Sequence, residues 1–283
     1  MPEPPRYAFP EDIVLHEVHQ NPIAEVNRVY RCEGTRSGRP ISFHLKISRT
    51  RYHSLTNERQ ALLTLADAGF PVPRVLWYGE GRREFLGLET RPGAMLRDVL
   101  NPGSDLHRVT SQEQVLFQLG EEVGRLHSLD LDWTENRRSA LYGFLGEEDI
   151  VDERFQEIVL WLESNPPQEK DYVFIHGDLN DANVLVAQGQ ITAILDWESA
   201  GMGWREYELA WILRERQHYM NTPESRDSFL RGYTSMTSYN PRALQWCEVM
   251  NCLHVAYWSR AKSRRYVDFN LEKAREAMFG EFE

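Results

Sequence analysis

One stretch limits the possible folds more than any other: FIHGDLNDANVLVAQGQITAILDWESAG, residues 174–201. It opens at the end of a short apolar run, YVFIH, which predicts a strand. GDLNDAN is polar and predicts a loop. VLVA and ITAILDW follow as two strands around Gln188-Gly189-Gln190, the composition of a tight hairpin. So short a hairpin must return Asp196 to a place beside Asn183. Asp178, Asn183 and Asp196 then bring three side-chain oxygens to one end of the β-structure. Carboxylate and amide oxygens suit hard divalent cations. Mg²⁺ in phosphoryl-transfer sites is held by one or two of them together with substrate phosphates.

The flanking sequence divides in two. Residues 12–48 predict strands at DIVLHEV, NRVYRCE and PISFHLKIS, with GTRSGR as a turn. SLTNERQALLTLADAG predicts a helix with Leu55, Arg59, Leu62, Leu65 and Ala66 along one side, stopped by Gly69 and Pro71. RVLWYGE and EFLGLET predict two more strands. After Pro92-Gly93 the pattern turns helical. Thr110 and Glu113 stand at capping-box spacing ahead of the apolar series Val115, Leu116, Leu119, Val123 and Leu126. Residues 150–163 predict another helix, and Asn240-Pro241 opens a long segment reaching to Arg264.

HGDLNDAN resembles the kinase catalytic loop H-R-D-L-x-x-x-N, with Asp196-Trp197-Glu198 where D-F-G stands in kinases. The Gly after His176 and the D-W-E downstream resemble the aminoglycoside phosphotransferase (choline-kinase-like) family of small-molecule kinases. PVPRVLWYGE, EFLGLETRPGAML and LGEEVGRLHSLD follow in the order that family keeps. The resemblance implies an α+β, two-lobed protein-kinase-like fold. Its small β-rich N-lobe would span residues 1–90, and its larger, mainly helical C-lobe residues 91–283. The implied activity is transfer of the γ-phosphoryl group of ATP or GTP, with Mg²⁺, to a hydroxyl of a small molecule. An aminoglycoside or other antibiotic, an amino alcohol and a sugar-like metabolite all stay open as acceptors.

Roles carry over by position. Asp178 matches the catalytic aspartate, which orients the acceptor hydroxyl and takes its proton. Asn183 and Asp196 match the Mg²⁺ ligands. Lys46 matches the lysine on the α/β-phosphates, and Glu58 the glutamate that holds it. Glu89 to Arg91 match the interlobe hinge, whose backbone would hold the nucleotide base, and His176 a histidine that props the catalytic loop. Asp181, Glu198 and Glu206, with Trp197, Trp204, Tyr207 and Trp211, are expected near the acceptor, where carboxylates and aromatic faces suit an amine.

Composition agrees. The chain has 283 residues, 41% of them hydrophobic and 27% charged, the balance of a globular protein. Its net charge of −11 argues against nucleic acid as a partner. No run of eighteen apolar residues predicts a membrane span, no secretory leader is expected, and three cysteines make no disulfide framework. The expectation is a cytoplasmic protein whose oligomeric state the sequence leaves open. Only four of its 32 basic residues are lysines, and Lys46 is the first of them, which singles it out because arginine does not replace a compact ammonium.

Three departures stand out. Gly177 replaces the Arg of H-R-D and no A-P-E element follows Asp196, both against a protein kinase. No glycine occurs from Asn21 through Cys32, where a phosphate loop is expected, and Glu25 adds a negative charge there. A nucleotide-binding pseudokinase with little turnover is the alternative this raises. Trp204, Arg205 and Glu208 stand where the family often has Asp, Pro and Asp, and Glu208 keeps the last charge.

Overall fold

The computed structural model describes residues 4–22, 27–49, 54–131, 133, 153–168, 171–214 and 222–280. Glu25 and residues 150–152 lie outside them. The chain forms two compact units, one of Met1–Leu96 with Ala182–Ala200, the other of Arg97–Asp181 with Gly201–Glu283.

The first unit is built on an antiparallel sheet of order β1-β2-β3-β5-β4. Its strands are β1 (Ile13–Gln20), β2 (Asn27–Arg36), β3 (Arg39–Ser48), β4 (Val75–Glu80) and β5 (Glu84–Glu89). β2 and β3 run further than the sequence predicts. Arg36 pairs with Arg39, so only Ser37 and Gly38 form the turn, at φ 49° and 79°. Positive φ at both positions gives the turn whose twist matches its strands. Side chains alternate along β3: Phe43, Leu45 and Ile47 join a core with Ile13, Tyr30 and Cys32. Lys46 therefore belongs to the opposite face.

Helix α1 (Thr56–Asp67) follows β3. Glu84 caps its start, accepting from Ser54 Oγ at 3.0 Å and Leu55 N at 2.5 Å. Gly69 ends it at φ 69°, with Phe70 N bonded to Leu65 O, as the Gly69–Pro71 signal predicts.

The sequence reading put the hairpin of residues 184–194 in the second part of the chain. The structure groups it with the first unit. β6 (Ala94–Met95) pairs with β8 (Val184–Ala187), which pairs with β9 (Gln190–Ile194). Ile194 N bonds Pro71 O at 2.7 Å, and Trp197 packs edge-on against Phe70. Those bonds, rather than chain order, decide its place.

The second unit is mainly helical. Here lie α2 (Leu96–Leu100, whose first residue belongs to the first unit), α3 (Asp105–Val109), α4 (Gln112–His127), α5 (Glu153–Ser164), α6 (Arg205–Ile212), α7 (Pro223–Met236), α8 (Pro241–Ser259) and α9 (Arg264–Phe279). The cap of α4 is one residue later than predicted. Ser111, not Thr110, accepts from Gln114 N, and the pattern is S-x-x-Q. The long segment expected from Asn240 to Arg264 ends at Ser259. Ser263 then caps α9 by accepting from Tyr266 N. α4 and α7 touch through backbone, since a Cβ on Gly232 would stand 1.9 Å from Phe117 O and one on Gly120 2.0 Å from Phe229 O. β7 (Tyr172–Ile175) and β10 (Gly201–Trp204) pair antiparallel, so the strand before the HGD loop lies beside the strand that feeds α6. Among the described residues no helix is long and apolar enough to cross a membrane.

Candidate active site

In the first unit, Lys46 leaves β3 on the face away from the core. Its ammonium donates to Glu58 Oε1 at 2.5 Å and to Asp196 Oδ1 at 2.6 Å. Burial opposes the lysine charge, but Glu58 and then Asp196 outweigh it and hold the ammonium above its ordinary range. Burial pushes the Glu58 carboxyl up to about 7, against the pull of Lys46. The ammonium therefore keeps its proton.

Asp196 gets there through the hairpin. β8 and β9 are joined by Gln188 and Gly189 at φ 52° and 73°, with Ala187 opposite Gln190. Leu195 N bonds Asn183 O at 2.7 Å, so Asp196 follows one residue after the partner of Asn183 at the end of the ladder. Asp196 itself sits at φ 68°, ψ 56°, a left-handed conformation costing a non-glycine residue about 1–2 kcal/mol. Two asparagines brace the turn after it. Asn27 Nδ2 donates to Glu198 Oε2 at 2.8 Å, and Asn57 Nδ2 to the carbonyls of Glu198 and Ala200 at 3.0 and 2.9 Å.

Carboxylate oxygens of Glu58, Asp196 and Glu198 lie within 4.8 Å of one another. Glu58 Oε2, Asn27 Oδ1 and Asn57 Oδ1 are buried without a hydrogen-bond partner. Three carboxylates against one ammonium, with bare buried oxygens, make a hard, oxygen-rich surrounding that fits a divalent cation.

The residues expected at the hinge, Glu89 and Arg91, have partners in the same unit. Glu89 closes β5 and pairs with Arg74 at 3.1 Å, and its N–H bonds Arg74 O. Arg91 donates to Thr192 O at 2.8 Å, fastening the chain after β5 to the hairpin.

In the second unit, the HGD loop leaves β7 and is clamped by Glu208 of α6. Glu208 Oε2 accepts from His176 N at 3.1 Å, and Oε1 from Gly177 N at 2.6 Å. His127 Nε2 lies 3.0 Å from Glu208 Oε2, and His127 Nδ1 2.9 Å from Tyr233 Oη. Burial raises the Glu208 carboxyl, but His127, His176 and the Gly177 N–H bring it below its ordinary value overall. Gly177 turns at φ 88°, a left-handed conformation that favours glycine. The buried His176 ring accepts Asp178 N–H on Nδ1 at 3.2 Å and so shapes the loop. Asp178 Oδ1 accepts from Trp211 Nε1 at 3.0 Å.

The carboxylates expected near an acceptor have protein partners. Asp181 is buried against Arg97 at 3.1 Å, Glu206 Oε1 accepts Asn240 N at the start of α8 at 3.0 Å, and Glu198 accepts Asn27. Trp197, Trp204 and Tyr207 are buried, while Trp211 is half-buried. Arg205 opens α6 and ties it down, pairing with Asp171 at 2.6 Å and donating to Ser238 O at 2.6 Å.

Sequence reasoning missed the Asn27 and Asn57 braces and the Trp211 bond.

Residues 18–247 match the profile of the phosphotransferase enzyme family. Amicoumacin kinase of Bacillus subtilis (strain 168) is 25% identical over 263 residues, covering 83% of this chain and 75% of that protein. Acyl-CoA dehydrogenase family member 10 of Mus musculus is 25% identical over 177 residues, 53% of this chain but only 16% of that protein's length. Among solved structures, a thermostable mutant of aminoglycoside phosphotransferase APH(4)-Ia in ternary complex with ADP and hygromycin B superposes at a TM-score of 0.67. It is 17% identical and covers 94% of this chain and 96% of that one.

Proposed function

Because the chain belongs to the phosphotransferase enzyme family, we propose that it transfers the γ-phosphoryl group of ATP or GTP to a hydroxyl of a small molecule. The observation that carries the reading is Lys46 bonded to both Glu58 and Asp196, at 2.5 and 2.6 Å. A buried lysine pinned by two carboxylates is a fixed cation, the arrangement a polyphosphate needs.

In this reading Asp178 accepts the proton of the acceptor hydroxyl as the hydroxyl oxygen bonds to Pγ. The bond from Pγ to the β–γ bridging oxygen breaks, and ADP or GDP leaves with that oxygen. Lys46 faces the α/β-phosphates and Glu58 keeps it in place. The backbone of Glu89 to Arg91 receives the base. Asn183 and Asp196 would hold Mg²⁺, which supplies neutralisation of phosphate charge. Glu208 holds the backbone of the loop that carries Asp178.

The relatives' names support an antibiotic-like acceptor with hydroxyl and amino groups, such as an aminoglycoside or amicoumacin, ahead of an amino alcohol or sugar-like metabolite. Asp181, Glu198 and Glu206 enter this reading as walls of the acceptor region, each already tied to a protein partner. The glycine-free run from Asn21 through Cys32 favours a second reading, nucleotide binding with little or no turnover.

Calorimetry with ATP and GTP, with and without Mg²⁺, combined with ADP or GDP release against kanamycin, hygromycin B, amicoumacin and choline, separates the two. Release stimulated by an acceptor and lost in Asp178→Asn supports transfer. Nucleotide binding with no release under any acceptor supports the second reading.

A further inference from the structure

The Asp178 backbone is held within its own loop, and its side chain is held by a helix. Its Oδ1 accepts the indole N–H of Trp211 at 3.0 Å. Trp211 stands three residues beyond Glu208 on α6, so one helix fixes the loop backbone through Glu208 and the Asp178 carboxylate through Trp211.

The indole is itself confined on its faces. The Tyr207 ring lies 6.3 Å away and nearly parallel, at 18°. The Arg214 guanidinium carbon sits 3.8 Å from the Trp211 ring centroid. These contacts restrict the ring, and a cation over its face draws electron density from the indole and makes the N–H a stronger donor.

We propose that Trp211 is a positioning residue for Asp178, setting the plane of the carboxylate that receives the acceptor proton. This rests on the reading of Asp178 as that proton acceptor. The residue type matters for two reasons. An indole N–H only donates, so it cannot compete with Asp178 for the proton. It is also neutral. A lysine or arginine on the same oxygen would fix the carboxylate at a larger loss of basicity. A phenyl ring would fill the space and leave the carboxylate free to rotate.

Four variants test this: Trp211→Phe, which removes the N–H and keeps a ring, Trp211→His, whose Nε2–H reaches about as far, Asp178→Asn, and Asp178→Ala, which removes the accepting oxygen. The Trp211 indole resonance is assigned by its loss in Trp211→Phe, and it moves in Asp178→Ala if the bond exists in solution. Turnover is read as ADP release from MgATP with water, kanamycin and hygromycin B as acceptors. The expected result is a roughly tenfold fall in kcat for Trp211→Phe, below the ~10² of a 1 Å misplacement. KM for ATP and for the acceptor should stay within about twofold, and Trp211→His should recover part of kcat. An unchanged kcat in Trp211→Phe, or an indole resonance indifferent to Asp178, overturns the inference. So does a rise in acceptor KM alone, which makes the ring a substrate contact. So does a fall in kcat that His does not relieve and that tracks a lower Tm, which makes it packing. Full turnover in Asp178→Asn, or none in the unaltered chain, overturns the parent reading and this inference with it. An inactive Asp178→Asn beside a fully active Trp211→Phe overturns this inference alone.

Discussion

Replacing Glu208 by Gln changes no more than one atom and removes one charge, yet it should be costly. Three donors converge on this buried carboxylate: His127 Nε2, His176 N and Gly177 N. A glutamine offers one oxygen and an NH₂. If the oxygen takes the Oε1 place, the NH₂ faces His176 N–H. If it takes the Oε2 place, the NH₂ faces Gly177 N–H. His127 can adjust by changing tautomer, but a backbone N–H cannot, so one buried donor loses its partner at about 1–3 kcal/mol. The surviving bonds drop from charge-assisted to neutral strength, at about 1 kcal/mol each. The sum is about 3–5 kcal/mol, a fall in Tm of roughly 6–20 °C for a chain of this size.

The pH dependence has a definite sign. The Glu208 carboxyl is depressed in the folded state relative to its ordinary 4.5. Its stabilisation is fully present above 4.5 and is lost as pH falls through the lower folded value. Thermal unfolding of both proteins across pH 3–8 is the assay. The gap between them should be constant above about pH 5 and narrow below 4.5. A Glu208→Gln protein within 1 kcal/mol of the original at pH 7, or a gap that widens in acid, refutes the clamp. ADP release in the same variant should fall with the clamp, since the backbone it holds carries Asp178.

Other consequences are simpler to state. Lys46→Met should leave a folded protein, because Glu58 is already pushed up to about 7 and takes a proton when its partner is lost. Its affinity for MgATP by calorimetry should fall at least tenfold. Gly232→Ala places a methyl 1.9 Å from Phe117 O and should cost about 2 kcal/mol of stability by urea unfolding, although alanine is the better helix former. Cys32 is buried with its thiol pushed up to about 12, so it should react with a disulfide reagent only after unfolding, well behind the half-buried Cys252.

The hairpin was the most legible element, for a geometric reason. A two-residue turn at Gln188-Gly189 sets the first pairs, a one-residue bulge at Thr192 shifts the rest, and the strand still returns Leu195 to Asn183 with Asp196 next in chain. Lys46 and Glu58 were legible because residue type and strand–helix order coincide. The capping residue of α4 was misplaced by one position because Thr110 and Ser111 are adjacent hydroxyls that local pattern does not separate. The end of α8 was missed because Arg260-Ala-Lys-Ser263 contains neither Gly nor Pro, and the break comes from Ser263 capping the next helix. The remaining contacts span long stretches of chain. Asp181 meets Arg97 across 84 residues, and Trp211 meets Asp178 across 33. A tryptophan in an apolar helix reads as core until its N–H is followed to a partner.

Phosphoryl transfer itself is tested most directly by weighing the products. The chain is incubated with MgATP and each candidate acceptor, and acceptor and nucleotide are followed together by mass spectrometry, beside Asp178→Asn. The account predicts one phosphorylated acceptor per ADP formed, with neither product in the variant. ADP formed without a phosphorylated acceptor, or equal product from Asp178→Asn, contradicts it.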